Sequence, residues 1–152
     1  MQIKFNGKIG EFSNGADFVA GTLLGFDSHI DTFKGNEKSM MDVYLKLGTD
    51  TFQVSFTLYT WSTLFLLNKL RNAETGKETE IKVVMDKEQN GDFASYSLLV
   101  KQGEEWLKSK TKYEDFGIPK TGDKTEKRNI VIIAMLDKLP KYQTKSSDDL
   151  PF

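Results

Sequence analysis

The chain has 152 residues, 38% of them hydrophobic and 28% charged, and its 21 basic and 22 acidic side chains leave a formal net charge of −1. That suits one domain with a sizeable core and a short tail, and it argues against duplex DNA binding driven by bulk charge. Without cysteine there are no disulfides, thiolate nucleophiles or Cys-based metal sites. No apolar run approaches the roughly 18 residues of a membrane helix and no apolar leader follows Met1, so a cytoplasmic location is expected.

Residues 2–12 alternate Ile3 and Phe5, and later Ile9, with polar residues, which predicts a short strand or hairpin around Gly7. Ser13-Asn14-Gly15 is a turn signal. From Asp17 to Ile30 the alternation places Phe18, Ala20, Thr22, Leu24 and Phe26 on one side, with Gly21 and Gly25 interrupting the other. Glycine inside a long strand marks a bulge, a bend or a close backbone approach, and a small closed barrel needs a long bent first strand. Residues 31–38 read as a polar loop. Residues 39–49 then put Met41, Val43, Leu45 and Leu47 on one face and Asp42, Tyr44 and Lys46 on the other. After Gly48-Thr49-Asp50, Phe52, Val54, Phe56 and Leu58 alternate with Gln53, Ser55, Thr57 and Tyr59. Two alternating strands joined by a tight turn make an antiparallel hairpin with one buried face.

The period changes at Thr60. Trp61, Leu64, Phe65, Leu67 and Leu70 recur at helical spacing, Thr60 or Ser62 can cap the start, and Gly76 follows the end. Residues 80–85 read as a strand, 89–92 as a turn, 93–101 as another strand and 104–108 as a short edge. The order strand, strand, strand, helix, strand, strand is that of the OB-fold, so the expected class is mainly β: an OB-fold-like five-stranded antiparallel barrel with a helix after the third strand. Residues 109–129 lack an apolar face and read as a surface loop. The apolar run 130–139 is ambiguous: its β-branched residues favour a strand, while the preceding charges and Leu136/Leu139 favour a helix that begins near Gly122-Asp123 and ends at Pro140. The lean is to a helix packed on the barrel. The domain is expected over 1–140 and a flexible tail over 141–152.

No enzyme motif stands out. The single histidine, His29, is expected to be a structural or surface residue, and no zinc site can be assembled around it. Residues 117–125 resemble a phosphate loop only superficially, because Asp123 stands where the lysine should follow the second glycine. No metal or cofactor is expected. Aromatics, in contrast, make up 12% of the chain. Binding single strands without sequence preference needs flat groups for stacking and cations for phosphates. Tyr44 with Lys46, and Tyr59 on the neighbouring strand, lie on the outward face. Phe33, Lys34 and Lys38 sit in the first inter-strand loop and Phe93 in the other loop that OB-folds use. Trp106, Lys108 and Lys110 follow on the edge. Phe18, Phe52, Phe56 and Phe65 are assigned to the core by phase, and Trp61 is expected to plug the bottom of the barrel.

The last residues, Asp148-Asp149-Leu150-Pro151-Phe152, combine two carboxylates with an apolar end, preceded by the polar tether 141–147. Alone they fit a recruitment tip and a frayed terminus equally. Without Asp148 and Asp149 the chain holds 21 basic and 20 acidic residues, so a basic groove has to come from local clustering. The tip resembles that of bacterial and phage single-stranded DNA-binding proteins, which end in aspartates, an aliphatic residue, Pro and Phe. The resemblance implies coverage of single-stranded DNA, with Pro151 and Phe152 filling a pocket on replication, recombination and repair proteins and Asp148 and Asp149 meeting its rim. Over the barrel the resemblance is one of pattern. The two aspartates, the short tether and the extra segment 109–140 depart from the bacterial pattern and favour a monomer or dimer of viral or plasmid type. The alternatives are a β-barrel protein-interaction module that binds no nucleic acid, and an RNA-preferring OB domain.

Overall fold

The computed structural model describes residues 1–86 and 95–142, with only the backbone at Phe33. Over these residues the protein is mainly β, as expected, with an open eight-stranded sheet and two helices. The strands are β1 (Gln2–Asn6), β2 (Glu11–Phe12), β3 (Phe18–Phe33), β4 (Asn36–Leu47), β5 (Asp50–Thr57), β6 (Glu78–Met85), β7 (Tyr96–Gln102) and β8 (Glu105–Trp106). Their order across the sheet is β2-β1-β5-β4-β3-β6-β7-β8. β1 pairs parallel to β5, and every other pairing is antiparallel.

The sheet curls because β3 serves two partners. Its first residues, Phe18 to Thr22, pair with β6, and Thr22 to Phe33 pair with β4. Between the β4-paired residues Leu23 and Gly25 the register slips by one residue. An extra residue in one strand inverts the side-chain phase beyond it and increases the local twist. Val19 and Leu23 are therefore buried before the bulge and Phe26 after it. The face expected from one unbroken alternation is wrong for the first half: Phe18 is 44% exposed. The curl brings the two ends of the sheet together through side chains. Tyr96 of β7 packs 5.4 Å from Phe5 of β1, and its hydroxyl donates to the Gly7 carbonyl at 2.9 Å. Phe5, Phe12 and Phe56 meet at centroid distances of 5.0–6.2 Å in the core behind it.

The polar loop expected over 31–38 is a strand-borne hairpin instead. β3 runs to Phe33, β4 starts at Asn36, and only Lys34 and Gly35 turn, with φ of +51° and +80°. Positive φ at both central residues gives the turn whose twist suits a two-residue hairpin, and Lys is an uncommon residue there. At the far end of β4, Leu47 is exposed because the strand has run past the core.

The first helix, α1 (Trp61–Leu70), starts where Thr60 Oγ1 accepts the Thr63 amide. It buries Leu64, Leu66, Leu67 and Leu70, whereas Phe65, expected in the core, is 42% exposed. Residue 65 follows Leu64 by about 100° and precedes the buried Leu66 and Leu67, so it falls outside the buried stripe. Buried Asn68 holds the segment after β8 by giving Nδ2 to the Thr111 carbonyl and accepting the Thr111 amide. Within 109–129, Tyr113–Phe116 form a 3-10 helix. The second helix, α2 (Lys124–Asp137), begins at Asp123, whose carboxylate accepts the Glu126 amide. Arg128, Ile132 and Met135 form its buried stripe, and the helix packs against α1. Helical spacing and an N-cap thus outweigh the β-branched composition of 130–133.

Beyond α2 the chain returns to the bulge. Phe26 donates its amide to the Pro140 carbonyl and accepts the Tyr142 amide, so Lys141 and Tyr142 are held on β3. Gly25 makes room for this strap. At φ +152°, a Cβ there would lie 2.8 Å from the Tyr142 nitrogen and 3.1 Å from the Pro140 oxygen. Gly25→Ala is therefore expected to cost about 2–4 kcal/mol through backbone strain and displacement of the strap. The urea midpoint measures this, and an unchanged midpoint would mean that the strap yields freely.

Candidate nucleic-acid interface

Cross-strand register sets the outer face of β3, β4 and β5. Asp27 lies opposite Asp42, Asp42 opposite Ser55, and Ser55 opposite Lys4 of β1. Asp42 is only 1% exposed and is satisfied on both oxygens: Ser55 donates at 2.7 Å and His29 Nδ1 lies at 2.6 Å. His29 Nε2 lies 3.0 Å from Asp31, whose other oxygen is 3.5 Å from the Lys4 ammonium. Ser55 also accepts from Gln2 at 3.1 Å. One polar network thus joins β1, β3, β4 and β5. It is not a hydrolytic triad, because the serine donates to the aspartate and both imidazole nitrogens face carboxylates.

Tyr44 sits beside this network. Its ring stacks on Tyr142 at a centroid distance of 4.2 Å and an interplanar angle of 26°. Burial raises its pKa, and the charges of Asp42 and Asp27 add to the shift. The face chosen from the alternation is therefore partly covered by the strap and carries carboxylates. Lys46 is exposed further along β4. Tyr59 is half-buried, and its carbonyl accepts from Arg128 at 3.0 Å.

The remaining candidates are dispersed. Trp106 lies on β8 with the Lys101 ammonium 5.4 Å from its ring centroid, and β3, β6 and β7 separate it from Tyr44. Lys108 and Lys110 are exposed on a segment tied to α1, through Asn72 to the Lys108 carbonyl and through the Lys110 amide to the Asn68 carbonyl. Lys34 is in the β3–β4 turn, and Phe33 is described by its backbone pairing to Asn36. Phe93 and the tip Asp148, Asp149, Leu150, Pro151 and Phe152 lie outside the described residues.

Lys38 is different, because it joins other cations. A groove of about 1010 Å³ opens between the β1–β2 hairpin, the distal part of the β3–β4 ribbon and the start of α1. Lys4, Lys8, Lys38, Trp61 and Tyr96 line it, with Asp31 and Glu11 as its acidic residues. Trp61 packs against the edge of the core, as expected, and also reaches the groove. It is half-buried, with the Arg128 guanidinium 5.2 Å from its ring centroid. The position is explicable: Thr60 is the cap, so Trp61 is the first helical residue, and helical side chains lean toward the N-terminus, here onto the groove wall. Lys4, Lys8 and Trp61 escaped the sequence-based selection, since nothing in the pattern showed β1 lying beside β5 and close to the α1 start.

No family model matches the chain, and neither does any curated protein or solved structure. Among the described residues no cluster of His, Asp and Glu could hold a metal ion, and no helix is long and apolar enough to cross a membrane.

His29 makes the network pH-sensitive. Burial, the largest single influence, works downward on its pKa, but the hydrogen bonds and charges of Asp42 and Asp31 outweigh it, and the net direction is upward. A raised folded value means that imidazolium stabilises the fold fully below the unfolded value of about 6.5, and that this contribution is lost as pH rises through the folded value. Thermal midpoints should therefore fall as pH is raised through the neutral range. His29→Asn should flatten that trend and cost about 1–3 kcal/mol at pH 6. An equal pH slope in the variant would place the titration elsewhere.

Proposed function

We propose that the protein binds single-stranded DNA without sequence preference in this groove and presents Asp148–Phe152 to replication, recombination and repair proteins. One observation carries the DNA half: Lys4, Lys8, Lys38 and Trp61 all line a single open groove. Cations that follow a phosphate backbone beside a flat ring are what sequence-tolerant strand binding uses. Lys4 pairs with Asp31, and Lys38 lies opposite the same carboxylate across the β3–β4 ladder, so Asp31 offsets part of the attraction that Lys4, Lys8 and Lys38 supply. Sharing of β3 between β4 and β6, with α1 between β5 and β6, supports an OB-type core to which β1, β2 and β8 are added. A binding protein is favoured over an enzyme, because His29 and Ser55 are both engaged by carboxylates.

Tryptophan fluorescence titrated with oligo-dT tests the groove. Quenching should weaken with salt, and Trp61→Ala should lower affinity about fivefold or more. The Lys8→Ala, Lys38→Ala double variant should reduce the log–log salt slope by roughly 1.4. A flat titration sinks the proposal in favour of a protein-interaction module, and tighter binding to oligo-U would assign the groove to RNA. For the tip, deletion of Phe152 should abolish capture of the partner proteins and leave oligo-dT affinity unchanged or raised. Normal capture by the deletion variant would refute that role.

A further inference from the structure

Trp61 belongs to two surfaces. It lines the groove, and it also begins a row of partly exposed rings on the helical side of the molecule. Tyr113 of the 3-10 helix lies 6.4 Å from Trp61 and 6.1 Å from Phe65, with Phe116 behind it at 6.4 Å. Phe65 and Tyr113 are 42% and 43% exposed, although each is long enough to have been buried. The Phe65 ring is turned away from the leucine stripe of α1, so packing of the main core does not account for its position.

Cations accompany the row. The segment after β8 runs along α1, with Thr111 held by Asn68 and Arg71 and Tyr113 placed against Phe65. That course carries Lys110 and Lys112 along the helix to the rings, while Arg128 lies over Trp61 at the other end. Glu114 and Asp115 are the acidic residues of the same turn. Lys110 and Lys112 are the exposed cations of this path, Arg128 being buried and bonded to the Tyr59 carbonyl, and the path joins the groove at Trp61.

We infer that a single strand leaving the groove at Trp61 continues across Tyr113 and Phe65, which form a second stacking site on α1 and the 3-10 helix, with Lys110 and Lys112 meeting its phosphates. The occupant is single-stranded nucleic acid because flat rings beside cations suit bases joined by phosphates, and because the path shares Trp61 with the groove. The inference rests on the groove function proposed above, and length of oligonucleotide separates the two. A short oligo-dT of about five nucleotides fills the groove alone, whereas one of about 15 extends past Trp61.

The full chain is titrated with both lengths, alongside Phe65→Leu and Tyr113→Leu, which keep an apolar contact and remove the ring. The long oligonucleotide should bind the wild type more tightly per site, and each variant should lose about fivefold or more on the long one and less than twofold on the short one. A Lys110→Gln, Lys112→Gln variant, exposed and remote from the core, should reduce the log–log salt slope by roughly 1.4 on the long one only. Equal losses on both lengths, or none on the long one, overturn the second site while leaving the groove intact. Failure of the wild type to bind either length overturns the groove and the second site together.

Discussion

One extra residue in β3 organises this molecule. Without the slip between Leu23 and Gly25, the strand would present a single face to one partner and the sheet would stay flatter. With it, Val19 and Leu23 face the core from the part of β3 near β6, and Phe26 faces it from the part beside β4. The curl that follows lets Tyr96 reach Phe5 and Gly7 across the open edge. It also sets the β1–β2 hairpin beside the start of α1, so that the groove exists at all. The same slip makes Gly25 necessary, since the strap crosses it at backbone contact distance.

That dependence explains which parts of the fold were legible in the sequence. The β4–β5 hairpin follows from strict alternation around a tight turn, and α1 and α2 follow from caps and helical spacing. The element order was therefore readable, down to the helix over the ambiguous run 130–139. The bulge was not, because Gly25 announces an irregularity without saying which residue is extra. A single unbroken phase then misassigns Phe18, and the same habit of reading by apolar character misassigns Phe65. The number of strands also escaped: β1, β2 and β8 are short, and their pairings are long-range contacts that no local pattern encodes.

The candidate site was legible only in its chemistry. Aromatic rings and lysines were sought, and both occur, but the alternation selected the outer face of β4. There Tyr44 is covered by Tyr142, and the charges of Asp42 and Asp27 act on it. Alternation tells which side of a strand faces out. It does not tell whether that side is vacant. Asp42 shows the difference, since an outward residue at the middle of a wide sheet can be as buried as any core leucine. Its network with His29 and Ser55 stitches four strands where a binding surface was expected.

Charge distribution then constrains how such a protein would hold a strand. Basic and acidic residues nearly balance, and one of the groove lysines already faces a carboxylate. Few phosphates can be neutralised, so counterion release contributes only a few-fold per contact. Stacking must supply the rest, at about 1–3 kcal/mol per base. A single half-buried tryptophan is a thin basis for that, which is why rings continuous with Trp61 matter more than additional lysines elsewhere. A bound strand would therefore follow the partly open aromatic faces of Trp61, Tyr113 and Phe65 rather than the acid-bearing outer face of β4.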